Sequence, residues 1–235
     1  ALDWIRNLFI NLIRKNLTLK ENVADSDLFD LIHAELDITQ LNDFRLALIQ
    51  QMNETKGFRS RYYHIAKPHL DAIVGNELAM QSRINLSIQL PGDDSSLLAT
   101  HADTWSGDSP FEAVVWLPLV DCYNTKSMYI LPPEKNINLN KNFKDMSGEN
   151  SEDLFKSIES DVQWIDINYG EVMAFNQSLP HGNRVNQENE TRWSMNCRFK
   201  SLFSPYGDKK IGEFFEPITT KPASITGFNY QHPDL

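Results

Sequence analysis

Three side chains with metal-binding chemistry stand out at a suggestive spacing. His101 and Asp103 sit two apart in Thr100-His101-Ala102-Asp103-Thr104-Trp105, and a second imidazole, His181, follows much later in Pro180-His181-Gly182. On an extended segment, residues two apart point to the same face. Two imidazoles and one carboxylate are the ligand list of the facial triad that holds non-haem Fe(II) with open coordination positions. Arg192, shortly after the second histidine, supplies a permanently charged fork that suits the carboxylate of an oxo-acid cosubstrate. These residues together predict an iron- and 2-oxoglutarate-dependent oxygenase. His-x-Asp alone occurs by chance in many chains, beside a structural histidine or a surface aspartate.

A long run from Arg192 to Phe203 alternates. Arg192, Ser194, Asn196 and Arg198 share one face, and Trp193, Met195, Cys197 and Phe199 share the other. The polar face either looks at water or lines a hydrated cavity while the apolar face packs on a helical layer. In the second case Arg192 and Ser194 form a carboxylate site. The same reading applies to Asn85, Ser87 and Gln89 on the polar face of the strand at 83–90.

The elements that must position these groups follow from periodicity. Apolar residues at helical spacing predict helices over 2–19, 26–36 and from Thr39 to Met52, with Pro68 opening a fourth that carries Leu78 and Met80. Arg59 to His64 is read as a basic-aromatic segment between the last two. After residue 82 the period changes to two. Strands are expected at 83–90, 97–103, 113–120 (Pro118 suggesting an edge or bulge), 127–131, 162–167, 171–175, 181–185 and 192–203. Residues 134–160 are a polar insertion with a short helix near Leu154–Ile158. Helices followed by many short strands predict an α+β protein, with an antiparallel sandwich or jelly roll as its core. The expected division is a helical part over 1–82, a β core over 83–206 and a C-terminal extension over 207–235, within one domain.

Composition narrows the partners. The chain has 235 residues and a formal net charge of −10, which argues against a nucleic-acid-binding surface. No apolar run approaches the roughly 18 residues needed to span a membrane, and the first residues do not read as a signal peptide. Cys122 and Cys197 lie in apolar, strand-like runs as expected for buried free thiols, usage that fits a reducing cytoplasm.

The β half resembles the phytanoyl-CoA dioxygenase-like oxygenases. The resemblance covers about residues 83–206 and is carried by His101-Ala102-Asp103, by His181 with Arg192 eleven positions on and Ser194 two beyond, and by Val115-Trp116-Leu117-Pro118-Leu119 followed by Asn124 and Met128-Tyr129-Ile130-Leu131-Pro132. More narrowly it is similar to the small oxygenases of bacterial carbohydrate gene clusters, a group that includes a streptomycin-biosynthesis protein. The resemblance implies a double-stranded β-helix, a cupin-like jelly roll, with N-terminal helices packed on it. It implies Fe(II) on His101, Asp103 and His181, and 2-oxoglutarate on Arg192, with Ser194, Gln89 and Tyr129 as further contacts. The reaction implied consumes molecular oxygen, releases succinate and hydroxylates a small molecule, a sugar or sugar-derived metabolite on the narrower likeness. An aspartate at 103, where related halogenases carry a small residue, favours hydroxylation. One departure is Pro133-Glu134-Lys135-Asn136, which stands where the family usually has Gly-Ser-His.

For substrate contacts, Trp105, Arg198, Asn85, Arg61 and Tyr62 are the candidates. Four of these have a plainer alternative: Trp105 as core, Arg198 as the partner of a sheet carboxylate, Arg61 and Tyr62 as part of a solvated basic loop. Two rival functions remain, a cupin-like isomerase or epimerase and a non-enzymatic sugar-binding jelly roll. A homo-oligomer is compatible with either reading.

Overall fold

In the computed structural model, which describes residues 1–19, 23–146 and 150–233, three layers follow one another. The helices α1 (Leu2–Asn16), α2 (Leu41–Glu54) and α3 (Phe58–Ile73) form the first. A six-stranded antiparallel sheet forms the second. It contains β1 (Leu78–Gln81), β2 (Asn85–Gln89), β3 (Glu112–Pro118), β6 (Met173–Asn176), β8 (Arg192–Ser201) and β9 (Phe215–Thr219). Its order is β6-β3-β8-β1-β9, with β2 also on β8. A smaller sheet, β4 (Tyr129–Ile130) between β5 (Gln163–Trp164) and β7 (His181–Gly182), forms the third. The protein is therefore α+β, with N-terminal helices on antiparallel sheets.

β8 is the spine. β3 runs along one side from Pro118↔Ser194 to Glu112↔Lys200, while β2 and β1 share the other side end to end. The alternation along β8 explains its central place. Trp193 turns to the helices and meets Phe9, Phe29 and Phe44 edge-on, and its indole N–H donates to the Phe29 carbonyl at 2.9 Å. One cluster of buried apolar side chains runs from Ile5 in α1 to Phe199 in β8, joining helices and sheet. The opposite, polar face of β8 looks toward the smaller sheet.

Several expectations are corrected. Residues 26–36 form irregular turns ending in a 3-10 turn, Ile32–Ala34. The Phe29 carbonyl is taken by Trp193 and the Asp30 carbonyl by the Thr191 N–H, so neither closes a helical turn. Leu28, Phe29 and Ile32 are buried all the same, whereas Leu31 is exposed. Pro68 lies inside α3 rather than opening a helix. It falls on the exposed face, where water can serve the carbonyl it leaves free. Leu78 and Met80 belong to a strand, flanked by β8 and β9 and buried on both faces, which is why its apolar run shows no alternation. Pro118 lies on an inner strand of the sheet but at a locally free edge, paired with β8 alone. Leu119 N–H donates to Trp193 of β8, so the donor that Pro118 lacks would point the other way, past the end of the β6 pairing at Trp116.

The insertion carries α4 (Pro133–Asn142) and α5 (Ser151–Ile158), the latter capped by Asn150 on the Glu152 and Asp153 amides. Leu131, Leu139, Leu154 and Ile158 give it a small core of its own. Its residues 147–149 lie outside the described residues. The C-terminal extension adds β9 and α6 (Pro222–Phe228). Among the described residues, no helix is long and apolar enough to cross a membrane. Both cysteines are free and buried.

Candidate metal centre

His101 and His181 are brought together by backbone pairing. Each donates its N–H to the other's carbonyl, at 3.0 and 2.8 Å, in an isolated antiparallel bridge on the free edge of β7. Their rings stand 4.4 Å apart between centroids. Asp103 opens a 3-10 turn, Asp103–Ser106, instead of ending a strand. Ala102 is still extended, at φ −118° and ψ 133°, so His101 and Asp103 keep to one side. The Asp103 amide is tied to the Gln177 carbonyl at 3.0 Å, just past β6. Ligand atoms of the three side chains all lie within 4.8 Å of one another.

The ring orientations are set from outside. His101 Nδ1 lies 2.8 Å from the Ala99 carbonyl and His181 Nδ1 lies 2.9 Å from the Leu179 carbonyl. A carbonyl only accepts, so each Nδ1 carries the hydrogen and, in the neutral ring, each Nε2 carries a lone pair. That is the tautomer a metal takes from histidine. Burial and the neighbouring His101 lower His181 to about 4, so it is neutral at physiological pH. The Asp103 carboxylate, 3.6 Å from His101 Nε2, raises His101 against its burial. Asp103 resists its own burial, and His101 and Arg198 hold it well below the usual carboxylate range.

The triad opens into a cavity of about 190 Å³ between the sheets. The polar face of β8 lines it with Arg192, Ser194, Asn196 and Arg198, and β2 adds Asn85 and Ser87. Leu98, Val114, Met128 and Phe175 form the apolar wall, and Asn183 is a further polar member. Arg192 is 3% exposed and has no acidic partner within ion-pair distance among the described residues. It donates to the Ser127 carbonyl at 2.9 Å and to Ser87 Oγ at 3.0 Å, but its Nε is buried with no partner. Burial brings its pKa down to about 10. A buried cation with an idle donor beside a cavity calls for an anion.

Apart from Asn85 and Arg198, which line the cavity, the other expected site residues fall elsewhere. Gln89 is fully buried and spends its amide on the Arg184 carbonyl (2.7 Å), with Asn183 Nδ2 3.4 Å from its oxygen, so it braces the loop after β7. Tyr129 stands behind the histidines, its hydroxyl 2.7 Å from Thr100 Oγ1 and its ring against Phe155 and Trp164. Trp105 is 38% exposed and packs on Phe143 of the insertion. Arg61 and Tyr62 are corrected outright, because both lie on α3 in the helical layer, across the sheet from the cavity. Arg61 stacks 4.1 Å from the Trp4 ring centroid, and Tyr62 is core, its hydroxyl donating to the Val115 carbonyl at 2.8 Å. Arg198 does line the cavity, but its partner there is Asp103 at 2.8 Å, a carboxylate of the triad in a 3-10 turn rather than one on the sheet. Gln177 was not foreseen, since a glutamine after a short strand carries no signal in sequence.

The sequence matches no protein-family model and no curated protein. Solved structures do resemble it. SnoK, a non-heme α-ketoglutarate-dependent carbocyclase from nogalamycin biosynthesis, superposes with a TM-score of 0.51 at 15% identity, over 86% of this chain and 99% of that one. HygX from Streptomyces hygroscopicus, crystallised with nickel and 2-oxoglutarate, gives 0.50 at 12% identity, over 75% and 82%. The non-heme monooxygenase ThoJ in its nickel complex gives 0.47 at 16% identity, where the match covers 66% of this chain but only 56% of ThoJ. The likeness is one of fold.

Proposed function

We propose that this protein is an Fe(II)- and 2-oxoglutarate-dependent oxygenase of small molecules, built on a double-stranded β-helix formed by the two sheets. One observation carries the reading. Two imidazoles with their Nε2 lone pairs turned inward and one carboxylate share a cavity with a buried arginine that has no counter-ion among the described residues. The donor set suits an ion such as Fe(II), and the buried, uncompensated guanidinium suits the remote carboxylate of 2-oxoglutarate. HygX, which shares the fold, binds nickel and 2-oxoglutarate in its crystal. That pairing is consistent with the reading.

His101, Asp103 and His181 would hold the metal on one face, leaving the other positions toward the cavity. Arg192 would take the carboxylate of 2-oxoglutarate in its guanidinium, with the Ser194 hydroxyl as a second donor. Leu98, Val114, Met128 and Phe175 keep that side of the cavity apolar and limit water near the reacting atoms. The chemistry the bound pair supplies is oxidation of a substrate C–H bond by dioxygen, coupled to decarboxylation of 2-oxoglutarate to succinate. Asp103 fills the third ligand position, which supports hydroxylation over halogenation. Toward the substrate the cavity offers Asn85 and Asn196, hydrogen-bonded to each other at 2.8 Å. Neutral amides beside an apolar wall support a small uncharged polar substrate, of which a sugar derivative is one kind.

The test is thermal unfolding with Mn(II) and 2-oxoglutarate, separately and together. A ligand that binds only the folded state raises its stability by mass action. The expected result is a larger shift with both than with either, abolished in His181→Ala, followed by substrate-dependent succinate release. No response of the wild type to either ligand would refute the proposal in favour of a binding jelly roll.

A further inference from the structure

The two oxygens of Asp103 have different neighbours. Oδ1 lies 3.6 Å from His101 Nε2, whereas Oδ2 meets Arg198 Nη2 at 2.8 Å. Both side chains are largely buried, 14% exposed for Arg198 and 10% for Asp103, so this is no loosely hydrated surface pair. The guanidinium is gripped from further sides. Its Nε donates to Gln177 Oε1 at 2.9 Å, and Gln81 Oε1 stands 3.5 Å from Nη1. Gln177 is itself immobilised, its amide donating to the Ser109 carbonyl at 2.9 Å and to Glu112 Oε2 at 2.8 Å. Its backbone carbonyl also accepts the Asp103 N–H. A single residue thus fixes the proposed ligand and the arginine that touches it.

We infer that Arg198, set in place by Gln177, is a positioning residue that occupies Oδ2 and confines Asp103 to one metal bond through Oδ1. The inference rests on the metal-site reading above and adds the reason for a second arginine in the cavity. A carboxylate can bind a metal through one oxygen or through both. With three single-bond ligands, a six-coordinate ion keeps three positions, enough for a chelating oxo acid and one further small ligand. A two-oxygen Asp103 would take one of them. Arg198 is suited to prevent this, being always charged and fixed in plane by its hydrogen bonds. Outer partners of metal ligands commonly matter at the level of about 10–100-fold in affinity or activity.

The experiment is to load wild type, Arg198→Met and Arg198→Lys with Co(II), whose visible absorption reports its coordination, and to record spectra before and after 2-oxoglutarate. Arg198→Met is expected to bind Co(II) with an altered spectrum and to need about tenfold or more 2-oxoglutarate for its spectral response. Arg198→Lys, which still places a cation beside Oδ2, is expected to keep the wild-type pattern. Arg198→Gln replaces the methionine variant should that one fail to fold. A merely structural arginine would change the melting temperature and leave the Co(II) spectrum and 2-oxoglutarate response as in wild type. That result overturns the role of Arg198 alone. No Co(II) spectrum in the wild type would overturn the metal-site reading and this inference with it.

Discussion

Replacing Arg192 by Met separates an anion-binding arginine from a structural one. Burial pulls Arg192 down to about 10. At about 1.4 kcal/mol for each tenfold change in proton affinity, holding the charge there costs about 3 kcal/mol. An anion in the cavity paired with the guanidinium recovers energy on that order, equivalent to about a hundredfold in affinity. Removing the guanidinium removes the cost but leaves the Ser127 carbonyl, now its acceptor at 2.9 Å, without a donor. That loss is about 1–3 kcal/mol. The two roughly cancel. Arg192→Met should therefore unfold in urea within about 2 kcal/mol of wild type when no ligand is present. Titrated calorimetrically with 2-oxoglutarate in the presence of Mn(II), it should bind about a hundredfold more weakly. A variant that binds 2-oxoglutarate as wild type does, or that loses several kcal/mol of stability with its ligand response intact, would refute the reasoning.

Three further outcomes follow from particular contacts. Gly182→Ala would bring a methyl group to 2.6 Å from the Tyr129 hydroxyl and 2.8 Å from the Leu98 carbonyl. Relief of that overlap costs about 1–3 kcal/mol and displaces His181 next door; melting curves with and without Mn(II) should show both losses. Tyr62→Phe removes a buried hydrogen bond and should lower stability by about 1 kcal/mol, measurable in urea, with turnover and KM unchanged; a raised KM would restore Tyr62 to the substrate site. Glu112 is raised above 4.5 by burial, with one oxygen unpaired. Its folded form takes up a proton before the unfolded form does, so its cost is absent below about 4.5 and reaches full size above the raised value. Glu112→Gln should flatten stability across that window and raise it at neutral pH, and urea midpoints against pH would check the sign.

Much of the site was legible because strands reveal their faces. Arg192, Ser194, Asn196 and Arg198 alternate with Trp193, Met195, Cys197 and Phe199, and β8 keeps that separation of cavity from core. His101 and Asp103 came out on one side although the expected strand was a bridge followed by a 3-10 turn, since a single extended residue between them is enough. Short apolar stretches were less informative. Leu78-Ala79-Met80 is buried on both faces and has no period of its own, so a neighbouring helical pattern absorbed it. Arg59 to His64, polar and aromatic together, looked like a loop but forms the inner and outer faces of one helix.

What the sequence alone determined is therefore local: which residues carry imidazole, carboxylate and guanidinium groups, and which strand faces are polar. Those properties depend on residue type and on a period of two, both present in the chain before it folds. What only the tertiary structure decided is partnership. That Arg192 finds no carboxylate among the described residues while Arg198 takes Asp103, and that Gln177 holds both of the latter, depends on contacts between residues 21 to 95 positions apart. His101 and His181, 80 positions apart, are joined by backbone pairing, and no spacing in the sequence encodes that distance.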